Sequence, residues 1–169
     1  MLLSQNIVNV TPSQAAQYGC DMFQLYYPGL KINFYVRDGI WRMGDGPKEI
    51  KTGQGDARWN GFMLGTYNPV NERVVFFDCW ECEGIELARA TYRDRIALLR
   101  TMKPYLFDWM SLANSYRIAD FQHVWDGQVE TGAYPGVIFR KSNDPATSAR
   151  LVCIKNPTEP AKVSDSKPS

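Results

Sequence analysis

The chain has 169 residues, enough for one domain with a real core, and its 44% hydrophobic and 22% charged residues are ordinary for a soluble globular protein. A net charge of +1 lacks the basic excess on which tight, general nucleic-acid binding draws, and no apolar run approaches the roughly 20 residues of a membrane span. The opening MLLSQNIVNVTPSQ has no basic region, so no signal peptide is expected, the four cysteines are expected as reduced thiols, and the cytoplasm is the expected compartment.

Thr11-Pro12, followed by SQAAQY and Gly19, predicts a short helix: Thr caps it, Pro fits the first turn and Gly ends it. Leu30, Ile32, Phe34 and Val36 then alternate with Lys31, Asn33 and Tyr35, the period of a strand with one buried face. Asp38-Gly39 is a hairpin signal, and IWRM is the returning strand. Residues 44–56, rich in glycine and charge, read as a mobile loop, because the glycines match no phosphate-loop spacing. Phe62–Tyr67 and Arg73–Trp80 read as strands around the turn Asn68-Pro69.

Thr91 to Met102 is the clearest helix: Thr91 caps, Asp94 completes a capping box, and Tyr92, Ile96 and Leu99 line one face. Lys103-Pro104 stops it. A second short helix is expected over Leu106–Asn114, and strands over Arg117–Trp125, Gly136–Arg140 and Leu151–Ile154. The end, NPTEPAKVSDSKPS, has nothing to bury, so residues 157–169 read as a disordered tail after a single domain over 1–156. Many strands and few helices, not strictly alternating, argue for an α+β fold with a mainly antiparallel sheet.

Cys79-Trp80-Glu81-Cys82 is a CxxC at the end of a predicted strand, where residues three apart face opposite sides. Buried thiols are the first reading. Zinc is the second, and it would need further ligands from Cys20, Cys153 or His123. His123, the single histidine, has no nucleophile motif beside it and reads as a strand residue. Of the five tryptophans four read as core or half-buried, and Trp59, beside the glycine-rich loop, is the one with base stacking from an exposed position as an alternative.

The stretch VVFFDCWECEGIELARATYRDRIALLRTM resembles a segment of the covalent nucleotidyltransferases, the ATP-dependent DNA ligases and mRNA capping enzymes. Their pattern is a strand ending in F-D, a glycine, and a helix carrying R-x-x-x-L; here these are Phe77-Asp78, Gly84 and the helix opened by Tyr92-Arg93-Asp94-Arg95. Around it the chain follows the family's order. Tyr26 to Lys31 stands where the family has K-x-D-G-x-R, ahead of Asp38-Gly39, and Arg42-Met43-Gly44 resembles R-x-G. Asn60 to Met63 stands at D-G-E, Pro135 to Arg140 at E-G-[LV]-[VM]-x-K, and Leu151 to Lys155 at W-L-K-x-K. The resemblance spans Phe23 to Lys155 and implies a ligase-type, ATP-grasp-like nucleotidyltransferase domain.

It also marks departures. In the family a lysine attacks the α-phosphate and becomes a lysine–nucleotide adduct. Tyr26 takes that lysine's place, Phe62 and Pro135 take the places of the carboxylates, and Cys153 that of a phosphate-contacting lysine. The turn glycines remain, as do Asp78, Arg42 and Lys155, with Arg140 in a lysine's position. The resemblance therefore implies a kept fold without the chemistry, no catalytic residues, no metal, and no cofactor beyond weakly held ATP. Lys31, Arg42, Arg140 and Lys155 are the expected nucleotide-binding set, with solvated strand-end charges as their plain alternative. The expected activity is binding, of a protein partner or of a nucleic acid or nucleotide, as suits a viral accessory protein in a host cytoplasm. Two rivals stay open: a working enzyme with Lys31 or Tyr26 as displaced nucleophile, and an inhibitor of a host DNA enzyme. The short remainder after Lys155 is expected to hold no oligonucleotide-binding barrel.

Overall fold

The computed structural model describes residues 7–145 and 150–155; the tail expected over 157–169 lies outside them. In chain order the elements are β1 (Ile7–Asn9), α1 (Pro12–Gln17), β2 (Met22–Tyr26), β3 (Leu30–Arg37), β4 (Ile40–Asp45), β5 (Lys48–Gln54), β6 (Gly61–Asn68), β7 (Arg73–Cys82) and β8 (Ile85–Glu86). They continue with α2 (Tyr92–Thr101), β9 (Met110–Leu112), β10 (Ser115–Arg117), α3 (Phe121–Val124), β11 (Gly136–Arg140) and β12 (Arg150–Ile154). The fold is α+β with mostly antiparallel sheets, as expected. The described residues form two compact units, one of Gly29–Ala113 with 143–145, the other of 7–28, Asn114–Ser142 and 150–155. No described helix is long and apolar enough to cross a membrane.

The first unit is a sheet ordered β5-β4-β3-β6-β7-β8, with β9 running parallel to the start of β7. The β3–β4 hairpin turns at Asp38 and Gly39 with φ of 50° and 81°, the doubly positive φ of the tight hairpin turn. A side chain at Gly39 would collide with the carbonyl oxygens of Gly55 and Asp56. The alternation in β3 holds, with Ile32, Phe34 and Val36 buried. Phe34 anchors an aromatic core: its centroid lies 5.3 Å from Trp41, 5.3 Å from Trp59 and 5.0 Å from Phe76.

Helix α2 packs on β7. Thr91 caps it by accepting from the Asp94 amide, and Tyr92, Ile96 and Leu99 are buried beneath it. One charged residue joins them. Arg95 is 1% exposed and Asp78 on β7 is 0% exposed. Arg95 Nε donates to Asp78 Oδ1 at 2.7 Å and a terminal nitrogen to Oδ2 at 3.1 Å, a forked pair. The other terminal nitrogen donates to the carbonyls of Ala90 and Asp144, each at 2.8 Å, and Asp78 Oδ1 also accepts from the Cys79 amide at 2.8 Å.

Three sequence expectations change in this unit. Residues 44–56 are not a mobile loop: Lys48–Gln54 form β5, an edge strand on β4. Its charged side chains suit an edge open to water on one side, and Gly53 leaves room for the Trp41 indole. The helix expected over Leu106–Asn114 does not form: a 3-10 turn at Lys103–Tyr105 precedes the segment and Met110–Leu112 within it are β9. Phe107 and Trp109 in this segment are drawn onto Trp59 and Trp41, at 6.4 Å and 5.6 Å, so tertiary packing overrides local propensity. Thirdly, the register of β6 on β7 shifts twice, leaving Phe77 and Trp80 as extra residues. The bulge at Trp80 cancels the alternation expected across the CxxC. Cys79 and Cys82 are both buried, and the Cys79 thiol donates to the Glu81 carbonyl at 3.1 Å.

The second unit is a sheet ordered β1-β12-β11-β2-β10, with β1 parallel to β12 and the other pairs antiparallel. The short helix α1 forms as expected, with Thr11 and Gln14 making a reciprocal capping box. The strand expected over Arg117–Trp125 is a correction. Only Ser115–Arg117 is extended; a 3-10 turn, α3 and a π-helical stretch at Trp125–Val129 follow. Phe121 stacks on Phe139 at 5.6 Å and meets Phe23 edge-on at 5.4 Å, so apolar positions at helical spacing cover the sheet. His123 is consequently an exposed helix residue rather than a strand residue.

Removing one partner of the Asp78–Arg95 pair strands a charge in the core. Arg95→Met is expected to lower unfolding free energy by about 3–5 kcal/mol. Urea titration followed by circular dichroism checks this, and a loss below about 1 kcal/mol would contradict the structural role given to the pair.

Candidate functional site

Four of the positions marked by the family resemblance, Tyr26, Pro135, Cys153 and Lys155, lie at one end of three neighbouring strands in the second unit. Tyr26 is the last residue of β2, half-buried, and pairs in register with Gly136 at the start of β11. Gly136 in turn faces Ile154 of β12, and a side chain on Gly136 would run into the Cys153 carbonyl. The Lys155 amide donates to the Pro135 carbonyl at 3.0 Å and so closes the same end. Glycine at 136 is therefore a backbone requirement of this three-strand junction.

The side chains there sort by face. Cys153 pairs with Val137, which pairs with Leu25, and all three belong to the apolar core. Tyr26, Gly136 and Ile154 share the opposite face, where Gln24, Ile138 and Val152 form the next row. Burial pushes the Cys153 thiol up, so this half-buried sulfur stays neutral. Lys155 is bound to Glu130: Nζ lies 3.0 Å from Glu130 Oε1 and donates to the Glu130 carbonyl at 3.2 Å. Glu130 also accepts from Trp125 Nε1 at 3.0 Å, and the bonds from Lys155 and Trp125 hold its carboxyl below the ordinary range. Glu130 was not legible as part of this end. It sits after the π-helical stretch, and a π-helix leaves no spacing signature that sequence periodicity detects.

Arg140 stands at the other end of β11, opposite Met22, and its Nε donates to Gln24 Oε1 at 3.2 Å. Tyr27, next to Tyr26, turns to the apolar side and meets Tyr134 edge-on at 5.1 Å. Burial, with the neighbouring Tyr134 and Tyr116, pushes its hydroxyl up to about 12.

Phe62, Lys31 and Arg42 belong to the first unit. Phe62 on β6 pairs with Tyr35 of β3, the two rings meeting at 5.8 Å and 89°. Arg42 on β4 pairs with Tyr35 on its other side and is exposed, while Lys31 is exposed near the start of β3 opposite Thr66. Tyr35, Asn33 and Arg42 line an open groove bounded by Gly46, Pro47 and Lys48 of the β4–β5 turn. The expected nucleotide-binding set thus falls as Lys31 and Arg42 in one unit and Arg140 and Lys155 in the other.

Trp59 is 0% exposed, which excludes the base-stacking alternative considered for it. In the CxxC, Cys79 is pushed up by its hydrogen bond with Cys82 and by burial, and that bond lowers Cys82. Among the described residues no group of three His, Cys, Asp or Glu is placed to hold a metal ion. The buried Asp78–Arg95 pair was missed as a pair, although F-D and R-x-x-x-L were both visible in the sequence.

No family model matches the sequence, and no curated protein matches it. Solved structures do. The ligase domain of LigD from M. tuberculosis is similar with a TM-score of 0.59 at 15% identity, over 88% of this chain and 58% of that one. A mycobacterial DNA ligase D complexed with ATP and MES gives 0.60 at 14% identity, over 89% and 60%. A Lig E DNA ligase, described as binding DNA with a minimal scaffold, gives 0.61 at 9% identity, over 92% and 70%. The chain thus has the nucleotidyltransferase fold of DNA ligases and spans about three fifths of the length of the two LigD structures.

The Tyr27 hydroxyl gives a pH test. Its folded pKa is raised above the unfolded value near 10, so the folded state retains a proton that the unfolded state loses. The contribution is complete below about pH 10 and is lost as pH rises toward 12. Chemical denaturation across pH 9–11 is expected to show a falling stability whose slope is shallower in Tyr27→Phe; equal slopes would contradict the assigned shift.

Proposed function

We propose that this chain is a non-catalytic relative of the ligase-type nucleotidyltransferases that acts by binding. The observation that supports this most is the composition of the strand junction around Gly136. Covalent nucleotidyl transfer needs an amine nucleophile, carboxylates for a divalent metal, and cations for the phosphates. The junction offers Tyr26, Pro135 and, on the Tyr26 face of β12, Val152 and Ile154. The remaining lysine, Lys155, already pairs with Glu130.

The backbone features that shape the fold are kept: the doubly positive turn at Asp38-Gly39, the close approach at Gly136, and the Asp78–Arg95 anchor. Loss of reactive groups with retention of these features fits selection for a surface. The competing reading, a live enzyme with Lys31 as nucleophile, places the amine on β3, in the first unit, with Thr66 as its register partner.

Intact mass after incubation with ATP or GTP and Mg²⁺ or Mn²⁺, on protein shown by circular dichroism to be folded, tests the proposal. The mass is expected to remain that of the bare chain. A gain of one nucleoside monophosphate would overturn it, and mapping the adduct to Tyr26 or Lys31 would identify the displaced nucleophile.

A further inference from the structure

One register row crosses the exposed face of the first unit's sheet: Thr52 of β5, Arg42 of β4, Tyr35 of β3, Phe62 of β6 and Glu81 of β7. Paired residues of neighbouring strands share a face, so these five side chains stand on one side of the sheet. Tyr35 is 42% exposed yet is held on two sides. The Arg37 guanidinium lies over its ring at 4.3 Å, and Phe62 meets it edge-on at 5.8 Å. Arg37 is itself fixed, donating to Glu81 Oε1 at 2.6 Å and to the Val36 carbonyl at 3.0 Å. The ring borders the groove at the β4–β5 turn, whereas Arg37 does not. Across that groove stand Arg42 and Lys48, with the Asn33 side chain beside the ring and Glu49 as the one carboxylate of the lining.

We infer that the groove bordered by Tyr35, Arg42 and Lys48 binds unpaired nucleotides of a single nucleic-acid strand, one base stacking on Tyr35 and the adjoining phosphates meeting the two cations. This rests on the binding reading and names its ligand. A rigid exposed aromatic ring offers a base a stacking surface without the entropy cost of first ordering the side chain. Two cations against one carboxylate favour an anion at the same place. Asn33 can reach a base edge, since an amide both donates and accepts. An acidic peptide would use the cations and leave Tyr35 without a role, and a duplex keeps its bases stacked on each other. The +1 net charge fits affinity that is modest and salt-dependent.

Fluorescence anisotropy with a labelled oligothymidine, on the full chain, tests this. Binding of the single strand is expected, with a blunt duplex and polyglutamate binding more weakly. Tyr35→Ala is expected to weaken strand binding by about tenfold, and Tyr35→Phe to leave it near that of the parent protein. Arg42→Glu is expected to weaken it and to flatten its salt dependence. Melting curves confirm that each variant is folded. An abasic strand is expected to bind the parent protein and Tyr35→Ala alike. Failure of the strand to bind, indifference to Tyr35→Ala in a folded variant, or polyglutamate binding as tightly as the strand would overturn the site. A nucleotide adduct in the mass experiment would sink the non-catalytic reading and leave this site standing, so the two failures are distinguishable.

Discussion

The buried pair of Asp78 and Arg95 is the constraint on which the first unit depends. Two charges withdrawn from water are costly, and the cost is offset only when every polar atom is matched. Here the guanidinium fork meets both carboxylate oxygens, and its remaining nitrogen serves two backbone carbonyls. The pair therefore fixes α2 on β7 at one position, where apolar contacts alone would tolerate sliding. Strand β7 in turn carries β6, β8 and β9, and β6 carries β3 with the exposed aromatic row.

Backbone demands and chemical demands separate along this chain. Gly39 and Gly136 stand where a side chain would strike a neighbouring carbonyl, so this backbone requires glycine there. Tyr26, Phe62 and Pro135 stand where the fold requires only a residue compatible with a strand or its end. Such positions are free to change once catalysis is no longer selected, and the proposed function reads them as changed for that reason. The same freedom permits new use of a surface: Phe62, in a carboxylate's place by resemblance, braces the exposed ring of Tyr35.

Much of the fold was legible because local signals and tertiary structure agreed. The alternation Ile32, Phe34, Val36, the Asp38-Gly39 turn, and the caps at Thr11 and Thr91 all form as their chemistry dictates. The misreadings have physical causes. Strand β5 is disguised by glycines and charges that an edge tolerates. Strand β9 is set by Phe107 and Trp109 joining the aromatic core, a long-range effect. The segment after Arg117 contains apolar Ile118, Phe121 and Val124 at helical spacing, which β-branched and aromatic content masked. At the candidate site, register aligns Tyr26, Gly136 and Ile154 in one row, while the bulges in β7 and the reach of Glu130 are invisible to any fixed period.

The central claim is that the nucleotidyltransferase fold persists here without its chemistry. ATP–pyrophosphate exchange tests it most directly, because exchange reports the reversible transfer step even when no adduct accumulates. With Mg²⁺ or Mn²⁺ and folded protein, the account predicts exchange no faster than in a protein-free control. Exchange that scales with protein concentration and disappears in Lys31→Ala or Tyr26→Phe would contradict it and mark a relocated nucleophile.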